Sequence, residues 1–139
     1  MSAPSTSLRP TERTRNARLI RDALSLLQPK WSVDVLLALG DGSRRYHELL
    51  GDLEPISEKV LTQTLRAMER DGLIHRRVHA EVPPRVDYAV TPLGGTLAAP
   101  MRALGSWSLA HGAHVEAARE RFDLRRAVQQ QQAQRRVAA

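Results

Sequence analysis

Residues 46–88 read YHELLGDLEPISEKVLTQTLRAMERDGLIHRRVHAEVPPRVDY, and this stretch decides the fold. Tyr46-His-Glu-Leu-Leu predicts a brief helix, and Gly51 to Pro55 a break. Ile56 closes the turn, and Ser57 is placed to cap a second helix, its hydroxyl accepting from an orphan backbone N–H. Glu58 in the first turn suits the positive end of the helix dipole. At about 100° per residue, Leu61, Leu65 and Met68 share a narrow apolar arc. Lys59, Thr62, Gln63, Arg66 and Arg70 share the opposite, polar arc. Gly72 supplies the left-handed residue that ends a helix. Leu73 to His79 and Arg85 to Val90 then read as strands. In the second, Val86, Tyr88 and Val90 alternate with Arg85, Asp87 and Ala89. Glu81-Val-Pro-Pro joins them, because proline has no N–H to continue a ladder. Short helix, turn, longer helix and hairpin is the plan of a helix-turn-helix followed by a β-wing.

The polar arc carries the functional reading. Arg and Lys match guanine, Gln matches adenine, and a Thr methyl suits thymine in a major groove. The bland alternative is an amphipathic surface helix, for which five polar residues on one side are ordinary. The flanking hairpin tips the balance. Arg85 at its tip can reach phosphate or a narrow minor groove, or can be a solvated turn residue. The contact residues expected for duplex DNA are Arg44, Arg45, Ser57, Lys59, Thr62, Gln63, Arg66, Arg70 and Arg85.

Five segments in order resemble the HxlR family of bacterial winged-helix transcription regulators. They are Lys30-Trp31-Ser32, Ile56 to Gln63, Asp71-Gly72-Leu73-Ile74, Glu81 to Tyr88, and Thr91-Pro92-Leu93-Gly94. The resemblance spans about residues 19 to 111. It implies a homodimeric repressor or activator whose recognition helix starts at Ser57 and whose wing is tipped by Pro83-Pro84-Arg85. Two departures stand out. Several members sense oxidants through a cysteine near the N-terminus, and this chain has no cysteine, so thiol-based sensing is chemically unavailable. Pro29 stands where the family usually has glycine, so the first helix is expected to end abruptly.

The rest of the chain is organised around that head. Residues 1–10 are small, polar and flanked by proline, and are expected to be disordered. Residues 11–111 form the expected winged domain with its dimerisation helices, and residues 112–139 a C-terminal helix with a fraying Gln-rich tail. Thr11 to Leu27 predicts a helix with Leu19, Ile20, Ala23, Leu24 and Leu27 in a stripe. Trp31 to Leu39 predicts another, with Val33, Leu36, Leu37 and Leu39 inward and Gly40-Asp-Gly as its stop. Thr91 and Pro92 are a cap and first-turn pair. The helix they start carries Leu93, Leu97, Met101, Leu104 and Trp107, and Pro100 should kink or divide it. A further helix is expected from His114 to about Val128. The stripes Leu19-Ile20-Leu24-Leu27 and Leu97-Met101-Leu104 exceed what a small core needs, and pairing across a two-fold axis would bury them. The alternative is that both cover the monomer core.

Composition sets bounds. The 139 residues are 42% hydrophobic, with a net charge of +6 that fits an anionic partner. The distribution matters more than the total. Residues 29–92 hold nine Lys and Arg against ten acids, so the excess lies in the ends. The case therefore rests on where the bases of the head point: Arg44, Arg45, the polar arc, Arg76, Arg77 and Arg85. No apolar run approaches the ~20 residues of a membrane span, and residues 1–7 lack a secretory apolar region. A soluble bacterial cytoplasmic protein with no membrane partner is the reading.

No P-loop, nucleophile elbow or dinucleotide motif is present, and no enzyme activity or cofactor is expected. Gly112 argues against a rigid His111–His114 pair, no metal site is expected, and His75 and His79 read as exposed wing residues. Trp31 and Trp107 can line a pocket for a small-molecule effector, or can be filled core. A winged helix that binds another protein through Glu54, Glu58 and Glu69 is the alternative function. Salt separates the two, since phosphate-anchored binding weakens steeply with ionic strength.

Overall fold

The computed structural model describes residues 9–139. They form a mainly helical chain with a small antiparallel sheet, in two compact units that divide between Thr96 and Leu97. The first unit contains α1 (Pro10–Ser25), α2 (Ser32–Leu39), β1 (Arg44–Arg45), α3 (Tyr46–Asp52), α4 (Glu58–Arg70), β2 (Ile74–His79), β3 (Arg85–Val90) and α5 (Pro92–Gly95). The second is α6 (Ala98–Ala138) with its flanking residues. The architecture is a winged helix-turn-helix with an additional helix before it and another after it in the chain.

The core of the first unit is drawn from α2, α3, α4 and the strands. Val35, Leu49 and Leu61 are fully buried, joined by Leu65, Met68, Leu73, Ile74 and Tyr88. In α2 the buried set is Ser32, Val35, Leu36 and Leu39, the i, i+3, i+4, i+7 spacing of a single helix face. That corrects the sequence expectation at Leu37, which is 66% exposed. Val33 is only half-buried, and Val35 fills the place assigned to these two residues.

Local chemistry sets the ends of α4. The Ser57 hydroxyl accepts from Val60 N at 3.2 Å, as its position suggested. At the other end Gly72 has φ 76°. Leu73 N donates to Met68 O and Gly72 N to Glu69 O, both at 3.0 Å. This paired pattern requires a left-handed residue after the cap, which glycine adopts without steric cost. The chain then locks onto that end. Thr91 Oγ1 donates to the Gly72 carbonyl and accepts from Gly94 N, and Thr91 N donates to Leu73 O at 3.0 Å. A Cβ on Gly94 would overlap the Leu73 carbonyl. Thr91-Pro-Leu-Gly94 therefore seats the C-terminal end of α4 and turns the chain out of the wing.

The sheet has three strands in the order β1-β3-β2. Arg76 pairs with Tyr88 and His79 with Arg85 across the hairpin. Arg44 and Arg45 add a short outer strand opposite Tyr88 and Asp87, where the sequence had suggested a hairpin alone.

Several boundaries also differ. Residues 1–8, most of the stretch expected to be disordered, lie outside the described residues. Helix α1 begins at Pro10, which needs no N–H acceptor in a first turn. It does not end abruptly at Pro29; it unwinds through i→i+3 bonds from Leu26, Leu27 and Gln28. The post-wing helix divides after Gly95, and Pro100 falls in the first turn of α6, where its missing donor costs nothing. No break precedes His114. Helix α6 runs 41 residues through Gly105, Gly112 and the Gln-rich tail. Gln, Ala and Arg are good helix formers, and isolated glycines lower helix stability by only about 1 kcal/mol each.

Candidate nucleic-acid interface

The contacts between α3 and α4 fix how α4 is presented. Tyr46 Oη donates to the Glu58 carbonyl at 3.2 Å and lies 3.1 Å from Thr62 Oγ1. A phenol has one proton, so Thr62 donates to Tyr46. Thr62 is half-buried, and its hydroxyl ties α3 to α4 instead of standing free on the polar arc. The rest of the arc is as expected: Lys59, Gln63, Arg66 and Arg70 are exposed on the side opposite Leu61, Leu65 and Met68. The apolar arc gains Thr64, whose hydroxyl donates to Val60 O at 2.8 Å and is thereby satisfied where it is buried.

Two surface depressions border the sheet, one against α4 and one against the start of α3. One, of about 280 Å³, is lined by Thr62, Leu65, Arg66, Glu69, Arg76 and Tyr88. It places an arginine of the helix and one of β2 on the same hollow. The other, of about 550 Å³, runs from Arg45, Tyr46 and His47 to the wing tip at Glu81–Val86 and also includes Arg76. Arg76 was counted among the bases of the head, but only the register with Tyr88 shows that it bridges helix and wing. Tyr46 was likewise missed as a site residue. Its role needs the long-range bond to Thr62, which no local pattern signals.

The wing cations are partly engaged. Arg44 lies 3.9 Å from Asp52, at the outer limit of an ion pair. Arg85 is half-buried, with Nη1 3.4 Å from Glu81 and Nε 3.4 Å from Asp87. The Nε and the facing Asp87 oxygen are buried without a hydrogen bond, so that contact is an ion pair only. Asp87 also holds His79 Nε2 at 2.7 Å. His79 is therefore half-buried and partnered, a correction to its reading as an exposed wing residue, while His75 is exposed. Among the described residues, Arg45, Lys59, Arg66, Arg70, Arg76 and Arg77 have no carboxylate within 4.0 Å.

The two tryptophans differ in setting. Trp31 is half-buried and shares a depression of about 380 Å³ with Pro29, Lys30, Val60, Gln63 and Thr64. Trp107 is 54% exposed on α6, its ring 5.3 Å from that of His111. The unbroken helix does bring His111 and His114 together, with centroids 6.1 Å apart, so Gly112 does not separate them. No group of three or more metal-ligating side chains occurs among the described residues. No helix among them is long and apolar enough to cross a membrane.

A two-faced helix seated across a shorter one and flanked by a basic wing defines a winged helix-turn-helix DNA-binding protein. The chain belongs to the HxlR-like helix-turn-helix family, whose model matches residues 26–116, and it is a DNA-binding regulator of transcription. It is 38% identical over 87 residues to the uncharacterized HTH-type transcriptional regulator YtfH of Escherichia coli, covering 63% of this chain and 69% of that one. A related regulator of Methanothermobacter thermautotrophicus is 39% identical over 94 residues, covering 68% and 72%. A MarR-family transcriptional regulator from Enterococcus faecalis superposes with a TM-score of 0.64 at 34% identity, over 79% of this chain and 94% of that one.

Proposed function

We propose that this regulator binds a palindromic operator as a homodimer, reading bases with α4 and holding the backbone with the wing. The observation that carries the reading is the outer face of α4. Lys59, Gln63, Arg66 and Arg70 are exposed, and the three cations among them lack a carboxylate partner among the described residues. Gln63 and Arg66 contact base edges. Lys59 and Ser57 meet phosphate or bases near the helix start, where the backbone N–H groups also favour an anion. Thr62 acts through Tyr46, orienting the helix. Arg44, Arg45 and Arg85 hold the backbone.

The dimer is supported by what α1 and α6 leave uncovered. Neither helix has a buried residue. Leu19, Ile20, Leu24 and Leu104 are half or more exposed, and Leu27, Leu97 and Met101 are half-buried. Closing these stripes between two copies removes apolar surface at roughly 25 cal/mol per Å² and supplies the two heads, about 34 Å apart, that successive major grooves need. An effector of such a dimer acts without covalent thiol chemistry, since there is no cysteine. Trp31 offers it a contact beside α4, and its leverage is its differential affinity for the two head separations.

Selection of bound duplexes from a random pool tests the reading. A two-fold symmetric motif is expected. Binding of all duplexes alike would refute sequence-specific reading, and loss of salt dependence would favour a protein-binding role instead.

A further inference from the structure

The depression at the wing tip contains one acid. Its lining includes Arg45, His47, Arg76 and Arg85, and Glu81 is its only carboxylate. The two carboxylates on Arg85 are unlike. Asp87 is on its Nε side, 19% exposed in its side chain, and is itself held by His79 at 2.7 Å. Glu81 is on the Nη1 side, 53% exposed, with no other partner among the described residues. Asp87 therefore fixes the guanidinium, and the Glu81 contact is the exchangeable one. An exposed ion pair at 3.4 Å is weak and easily replaced, whereas an arginine offers its free edge to phosphate oxygens in the same fork geometry it offers a carboxylate.

We propose that Glu81 is a built-in stand-in for a DNA phosphate. It occupies the Nη1 edge of Arg85 in the free protein and must leave when the backbone enters the hollow between Arg45, Arg76 and Arg85. The wing then carries its own competitor. Glu81 lowers affinity for all duplexes by a similar factor and leaves base preference to α4. It also keeps three arginines around one hollow from holding non-specific DNA indiscriminately. This rests on the proposed contact between Arg85 and the backbone, but not on sequence reading by α4.

The test is Glu81→Gln, which keeps the shape and removes the charge. Its affinity is measured on the selected operator and on a random duplex of equal length, alone and with Arg85→Ala. The expected result is about a two- to fivefold rise on both duplexes, with their ratio unchanged and the rise absent when Arg85 is alanine. No rise, a fall, or a rise that survives Arg85→Ala would overturn the proposal. Thermal melting of each variant identifies a fall caused by unfolding, and Glu81→Ala then repeats the measurement without the amide. Because binding to the random duplex does not depend on base reading, and the Arg85→Ala background isolates the wing contact, failure here is distinct from failure of Arg66 and Gln63 to specify bases.

Discussion

The reading head and the helices that flank it are built on opposite principles. From Ser32 to Val90 the chain closes on itself: α2, α3, α4 and two strands each bury apolar residues, and both ends of α4 are satisfied by Ser57, Gly72 and Thr91. Its charge is nearly balanced. Helices α1 and α6 contain no buried residue, leave most of their apolar stripes exposed and hold most of the excess arginine. The difference separates a head packed within one chain from helices whose apolar stripes the same chain leaves uncovered. Stability lives in the head. In the proposed dimer, assembly and any response to an effector belong to the flanks.

Substitutions should separate the two regions. The largest effect belongs to the core of the head. Leu61→Ala, at a fully buried site, should lower stability by about 2–5 kcal/mol, read as a fall in the denaturant midpoint. A loss well below that range would mean that α4 is not held by its apolar arc. In the flanks, Ile20→Asp with Leu104→Asp should abolish the dimer in sedimentation at micromolar concentration. The melting temperature should then lose its dependence on protein concentration, with the secondary structure of the head retained. A double variant that sediments unchanged would show that these stripes are not the interface. Arg66→Ala should weaken operator binding by about 1–3 kcal/mol, at one base position in each half-site. The smallest change is expected from Arg85→Ala, which should weaken all duplexes similarly and reduce the salt slope by about one. A loss confined to one base, with the slope intact, would make Arg85 a reader instead.

Much of this was legible because it is local. Ser57, Gly72 and the Thr91-Pro92 pair are signals written within a few residues of the ends they define. The two faces of α4 follow from periodicity alone. What was missed depends on partners distant in sequence. Arg44 and Arg45 become a strand only because Tyr88 and Asp87 lie opposite them. His79 is drawn from solvent by Asp87, and Thr62 from the reading face by Tyr46. Leu37 looks like core by hydrophobicity, but the α2 face that packs is set by Ser32, Val35, Leu36 and Leu39. The length of α6 was underestimated for a different reason. Gly112 and a run of glutamines resemble punctuation, yet neither costs enough to stop a helix among Ala, Arg and Glu.

The central claim is that the exposed face of α4 reads sequence. Its most direct test is duplex selection from one random pool with the wild-type protein and with Arg66→Ala, at a fixed salt concentration. The expected result is a two-fold symmetric motif for the wild type, with half-sites one helical turn apart, and for the variant the same motif with preference lost at one symmetric pair of positions. An identical motif and unchanged affinity for the variant would contradict it, and would place the reading elsewhere than on this helix.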